Sequence, residues 1–167
     1  MTISDELLVK PDWRFLLSHP AHLVSFGFGS GLARKAPGTF GTLAAFPLYW
    51  LLAPLLSDDL FIVWLVLAFF LGVWVCDITG KALGVSDYGG IVWDEIVSFM
   101  LVLFFTPPGW EWSLLAFTLF RIFDILKPPP IRYFDSTWHS GFGVMFDDLL
   151  AAGYALLCLA LVKNALT

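Results

Sequence analysis

Three groups of residues in this chain have the types and spacing that chemistry needs. Asp94 and Glu95 are adjacent at the start of an apolar run, and Asp147 and Asp148 repeat the arrangement later. Neighbours in sequence cannot share one face of a helix, but at a helix start both can line a pocket. Two such pairs, with Asp124 added from a helix end, make a nest of oxygen ligands suited to a hard divalent cation. Mg²⁺ is the fitting ion, since it prefers oxygen and keeps waters and a substrate phosphate in its shell. The third group is Phe120-Arg121-Ile122-Phe123-Asp124-Ile125-Leu126-Lys127-Pro128-Pro129-Pro130-Ile131. Arg121 and Asp124 are neighbours on one helical face, and Lys127 joins them if the helix continues that far. An arginine fork and a lysine point charge both suit a phosphate. The prolines then stop the helix. Each group also has a plain structural use, because acids in a first turn favour the helix dipole and a terminal base can snorkel. Their combination points to a site.

The elements that must position these groups are apolar. Of 167 residues, 59% are hydrophobic and 14% charged, with 17 Phe and 8 Trp, and the mean hydropathy is +0.82. Soluble domains carry about a quarter charged residues, and disorder needs the opposite bias. The composition predicts an all-α, compact multi-helix integral membrane bundle, formed as one domain over residues 1–167. The apolar stretches fall near residues 43–56, 60–76, 96–106, 112–120 and 149–162. Each is shorter than the ~20 residues that cross a bilayer comfortably, but most reach that length through their polar ends. About five apolar helices are therefore expected. A polar segment, residues 1–20, precedes them, with a short helix over 11–19 laying Trp13, Phe15, Leu16 and Leu17 in the interface. The acidic start is unlike a signal peptide, so insertion is expected to rely on the internal spans.

Charge sets the orientation. Ser57-Asp58-Asp59 and Thr106-Pro107-Pro108-Gly109 separate stretches without any base, whereas Lys10, Arg14, Arg34, Lys35, Lys81, Arg121, Lys127 and Arg132 occupy the other connections. In a five-span arrangement every base but Lys163 lies on one side, which the positive-inside rule makes cytoplasmic. Asp77, Asp87, Asp94, Glu95, Asp124, Asp135, Asp147 and Asp148 reach the same side. Trp13, Trp93 and Trp138 are expected as interfacial anchors. A net charge of −5 with 9 bases argues against a nucleic-acid partner, which needs a concentrated basic footprint.

Two glycine-rich stretches are expected to be loops. Pro37-Gly38-Thr39-Phe40-Gly41-Thr42 leads into the first apolar stretch, where its N–H groups can face an anion. Gly27-Phe28-Gly29-Ser30-Gly31 is no dinucleotide fingerprint, and close helix packing accounts for it as well. His139 reads as a loop residue or a proton shuttle. Cys76 and Cys158 sit in apolar runs with no disulfide or metal-knuckle spacing. The chain has no cysteine-phosphatase loop, no Asp-x-Asp nucleophile motif, no Gly-x-Ser-x-Gly elbow and no P-loop.

Residues 37–42, the run Ile91-Val92-Trp93-Asp94-Glu95, residues 120–131, and the run His139-Ser140-Gly141-Phe142-Gly143-Val144-Met145-Phe146-Asp147-Asp148 together resemble the phosphatidylglycerophosphatase A family. The likeness in order and spacing runs from about residue 25 to 160. It departs at Tyr88 after Asp87, where His or Pro is expected, and at Ser140 in place of a common Gly. The resemblance implies a magnesium-dependent lipid phosphatase of the bacterial inner membrane. Such an enzyme removes the terminal phosphate of phosphatidylglycerophosphate, with its active site facing the cytoplasm. It places the family's polar motif residues at Thr39, Thr42, Lys81, Asp87, Asp94, Glu95, Arg121, Asp124, Lys127, Asp147 and Asp148. On this reading Asp94, Glu95, Asp147 and Asp148 hold one or two Mg²⁺. Arg121 and Lys127 stabilise developing charge, and Asp94, Glu95 and Asp124 complete the catalytic set, with Asp124 either orienting water or attacking directly. Thr39, Thr42, Lys81 and Asp87 contact the anionic phospholipid. A divalent-cation channel or transporter subunit is the alternative, but it calls for acids along a path through the membrane, and here they collect on one side.

Overall fold

A computed structural model describes residues 8–166, and among these every regular element is helical. The helices are α1 (Trp13–Ser18), α2 (Pro20–Ser25), α3 (Pro37–Leu52), α4 (Asp58–Leu83), α5 (Trp93–Phe105), α6 (Trp110–Leu126), α7 (Ile131–Thr137) and α8 (Gly141–Leu166), with 3₁₀ turns at Gly27–Leu32 and Ala53–Leu55. Polar and turn-forming residues set the boundaries. Asp12 caps α1 by accepting from the Phe15 N–H at 2.8 Å. Pro20 and Pro37 each sit at a first helical position, where a missing N–H costs nothing. Gly84 closes α4 in the left-handed region.

Helix α5 is the centre of the bundle. It packs against α3, α4, α6 and α8, and Ile96, Phe99, Met100 and Val102 are fully enclosed. Its neighbour α8 presents Ala151, Ala152 and Ala155, small enough to bring the two backbones close. The outer surface is apolar as well. Leu67, Phe70 and Trp74 on α4, Trp50 and Leu51 on α3, and Leu157 and Leu161 on α8 are all exposed. A water-facing surface does not tolerate so broad an apolar face, whereas a bilayer does.

Three helical segments are long and apolar enough to cross a membrane: Pro37–Leu55, Asp58–Leu83 and Gly141–Leu166. The expected five reduce to these three by that measure. Helix α5 has 13 residues, about 20 Å at 1.5 Å per residue, against a hydrocarbon core of about 30 Å. With α6 it forms a hairpin turned at Thr106–Gly109, in which α5 is buried among its neighbours while α6 buries only Ala116 and Phe120.

Other expectations shift too. Helix α8 begins at Gly141, two turns before the predicted stretch, so Asp147 and Asp148 lie inside a helix and not at its start. Residues 37–42 are the first turns of α3, not a loop. In α1, Phe15 and Leu16 face the core and only Trp13 and Leu17 remain outward. Residues 1–7 of the predicted interfacial segment lie outside the described residues. Trp93 is buried, with its indole N–H donating to the Ala68 carbonyl at 3.0 Å, so it is a core residue and not an interfacial anchor.

Gly141 seats α8 on α4. A Cβ there would run into the Val73 carbonyl and reach within 2.9 Å of the Asp77 side chain. Because backbone cannot yield as a side-chain tip can, Gly141→Ala is expected to destabilise the protein by about 1–3 kcal/mol. A thermal unfolding scan in detergent reads this as a lowered midpoint.

Candidate active site

The open ends of the α5–α6 hairpin meet the start of α3 and the second and third turns of α8. Pro37, Gly38, Asp87, Asp94, Glu95, Arg121, Asp124, Lys127, Asp147 and Asp148 all line the cleft that results.

At its floor, Asp94 and Glu95 from α5 and Asp148 from α8 each place one carboxylate oxygen so that all three lie within 4.8 Å of one another. The three residues are 7%, 8% and 2% exposed. Asp94 Oδ1, Glu95 Oε2 and Asp148 Oδ2 are buried with no hydrogen-bond partner. Charged oxygens cost several kcal/mol to bury unless something compensates them. An all-oxygen trio with orphaned atoms suits a hard cation. Of the four acids expected to act together, Asp147 is turned elsewhere, because neighbours on a helix point about 100° apart.

Asp147 instead meets Lys127, whose Nζ donates to its carboxylate at 2.5 Å and also to Asp135. Helix α6 ends at Leu126, and Lys127 takes a left-handed backbone (φ 42°, ψ 63°). Its side chain therefore leaves the Arg121–Asp124 face that a continuing helix would have kept it on. Burial works against the Lys127 ammonium, but Asp147, Asp135 and Asp87 outweigh it and hold its pKa above the ordinary lysine range. Burial pushes the Asp87 carboxyl up, against the pull of Lys127, with Asp135 and Asp124 adding to the rise.

Arg121 lies on the other wall. It pairs with Asp124, approaches Glu95 at 3.6 Å, and donates to Thr42 Oγ1 at 3.3 Å. Thr42 in turn donates to the Gly38 carbonyl at 2.8 Å within α3, so the Arg121–Thr42 bond ties α6 to α3. Gly38 allows this approach. A Cβ there would strike Glu95 Oε1 and stand 3.1 Å from both terminal nitrogens of Arg121.

Eight of the named residues thus line one cleft, and Thr42 braces it. Two others are placed differently. Thr39 is half-buried on α3 and does not line the cleft. Lys81 lies in a neighbouring pocket with Ser86 and His139, where it pairs with Asp77 at 2.5 Å. Asp135, absent from the sequence-based set, proves to be a partner of Lys127. The prolines between the two hid the pairing, because it depends on how the chain returns through α7.

The cleft lies within a segment that matches a known family. A family model described as phosphatidylglycerophosphatase A matches residues 23–163. The chain belongs to the phosphatidylglycerophosphatase A family. Its relatives include a phosphatidylglycerophosphatase A of Haemophilus influenzae, 49% identical over 89% of this chain and 91% of that one. The Escherichia coli protein of the same name is 44% identical over 83% and 80%. A putative phosphatidylinositol-3-phosphatase of Bacteroides thetaiotaomicron is 36% identical over 84% and 92%. No solved structure matches the chain. The family resemblance read from residues 37–42, 91–95, 120–131 and 139–148 is thereby borne out, and every residue lining the cleft falls within the matched range.

Proposed function

We propose that this protein is a magnesium-dependent lipid phosphatase that hydrolyses the terminal phosphate monoester of phosphatidylglycerophosphate, giving phosphatidylglycerol and inorganic phosphate. The carboxylate trio of Asp94, Glu95 and Asp148, with its orphaned oxygens, is the observation that carries the reading, beside membership of the family. These three residues would hold the ion. When bound, Mg²⁺ neutralises phosphoryl oxygens and lowers the pKa of a coordinated water.

The chain's own residues supply the rest. Arg121 presents its guanidinium to the phosphoryl oxygens, and developing charge there is stabilised by a donor already held in place. Asp124 and Thr42 position Arg121 from two sides. Lys127 offsets the charge of Asp147 and Asp135 and keeps that wall of the cleft from repelling an anion. Burial among α3, α5, α6 and α8 limits water and strengthens each of these interactions.

A lipid substrate fits the architecture. Its acyl chains stay in the bilayer against the apolar faces of α3, α4 and α8, and its headgroup enters a cleft at the helix ends. On this reading the protein is a multi-pass resident of the bacterial inner membrane with its cleft toward the cytoplasm, the side to which the basic residues assign it. A transport role fits less well, since the buried acids converge at one end of the bundle and do not continue along a path.

The test is phosphate release from phosphatidylglycerophosphate by the purified protein in detergent, with Mg²⁺ and after chelation. Release that stops on chelation and returns with added Mg²⁺ is the expected outcome. Folded protein that releases no phosphate with any divalent ion would overturn the reading.

A further inference from the structure

The cleft poses a charge problem. Six carboxylates line it, from Asp87, Asp94, Glu95, Asp124, Asp147 and Asp148, against two cations, Arg121 and Lys127. Both cations are already engaged by acids. The proposed substrate carries two phosphates, the terminal monoester and an inner phosphodiester one glycerol away. A divalent ion and Arg121 serve the first. The second has no partner inside the cleft, and Lys81 is held by Asp77 in the neighbouring pocket.

Two further cations stand next in the chain to the residues that line the cleft. Arg34 and Lys35 are exposed, and neither makes an ion pair with a described residue. They lie on the bend immediately before Ala36, Pro37 and Gly38, all three of which line the cleft. The bend is held at both ends. Upstream, the Ala33 N–H bonds to the Ser30 carbonyl at 3.2 Å, closing the 3₁₀ turn. Downstream, Ala36 takes a left-handed backbone (φ 48°, ψ 53°), which costs a residue other than glycine of order 1 kcal/mol. That residue turns the chain into α3, whose start is fixed in turn by the contact of Gly38 with Glu95 and Arg121. Two exposed cations, unpaired among the described residues, thus stand just ahead in the chain of the residues that line an acidic site, which a multiply charged anion has to enter.

We propose that Arg34 and Lys35 bind the inner phosphodiester of the headgroup while the terminal phosphate lies at the carboxylate trio. This rests on the phosphatase reading above and adds a specificity determinant to it. A ligand with a single phosphate reaches the trio but leaves Arg34 and Lys35 empty, so the pair favours headgroups that carry a phosphodiester behind the scissile monoester. Charge-assisted contacts to phosphate have the strength for such discrimination.

The experiment measures hydrolysis of phosphatidylglycerophosphate by the full chain in neutral detergent with Mg²⁺. Two competing inhibitors are compared: the deacylated headgroup, which has both phosphates, and glycerol 3-phosphate, which has one. The wild type is expected to bind the two-phosphate headgroup more tightly. In the double variant Arg34→Gln/Lys35→Gln, KM rises about tenfold with a much smaller change in kcat, and the two inhibitors become nearly equal. Arg34→Lys, which keeps the charge, should retain most of the preference. The variant Lys10→Gln/Arg14→Gln removes two cations elsewhere and controls for general attraction to anionic micelles. An inhibitor preference unchanged in the Arg34/Lys35 variant overturns the inference, as does an equal rise in KM in the control. Absence of hydrolysis by the wild type would remove the phosphatase reading itself, and the Arg34/Lys35 site with it.

Discussion

Phosphate release by the Asp148→Asn protein is expected to fall about a thousandfold, as loss of several kcal/mol of charge stabilisation implies. Asn keeps the shape of the side chain and so leaves the contacts between α5 and α8 in place. It removes one negative charge from the trio and replaces a carboxylate oxygen with a group that cannot ligate as strongly. Binding of Mn²⁺, followed by electron paramagnetic resonance, should weaken in parallel. The adjacent Asp147→Asn variant is the informative contrast. Asp147 faces Lys127, and Lys127 retains Asp135 when Asp147 is neutralised. Its activity should fall far less. Equal losses for the two variants would return Asp147 to the ligand set and contradict the division seen in the structure.

Arg121→Lys is expected to lower kcat about a hundredfold, the order of effect seen when one preorganised donor to a developing oxyanion is lost. The charge survives this change but the geometry does not. Arg121 reaches Asp124, Glu95 and Thr42 at once, and a single ammonium on a flexible stem cannot hold three partners and still aim a donor at a phosphoryl oxygen. The thermal midpoint of the variant, scanned beside its kinetics, separates the two roles. A variant that melts like the wild type and is slow only in turnover identifies Arg121 as a group acting on the substrate. Unchanged kcat would leave it a purely structural tie between α3, α5 and α6.

Much of the site was legible in residue types and spacing, with limits that follow from local chemistry. Asp94 and Glu95 converge as expected because they lie in a first helical turn, where neighbouring side chains can both reach one pocket. Asp147 and Asp148 show the same sequence pattern and diverge, because α8 had already begun two turns earlier and a helix interior separates neighbours. Arg121 and Asp124 pair across one helical turn, which spacing alone predicts. Lys127 does not join them, since the left-handed residue that ends α6 redirects it. Trp93 looked like an interfacial anchor by type, but its position beside the carboxylates placed it in the core, where Ala68 satisfies its N–H.

The sequence by itself determined that the protein is all-helical and apolar on its outer faces, that most of its acids gather with its bases around the same connections, and which family it resembles. Those properties follow from composition, from local periodicity and from motifs contained within short segments, and no long-range contact is needed to read them. The tertiary structure decided which acids meet, which cations they pair with and how many helices have a spanning length. Asp148 with Asp94 and Glu95, Lys127 with Asp135, and Gly38 against Glu95 and Arg121 join residues from separate helices. Such pairings depend on where each helix starts, how it is rotated and how closely small residues let it approach its neighbour. Only packing the helices together fixes those quantities.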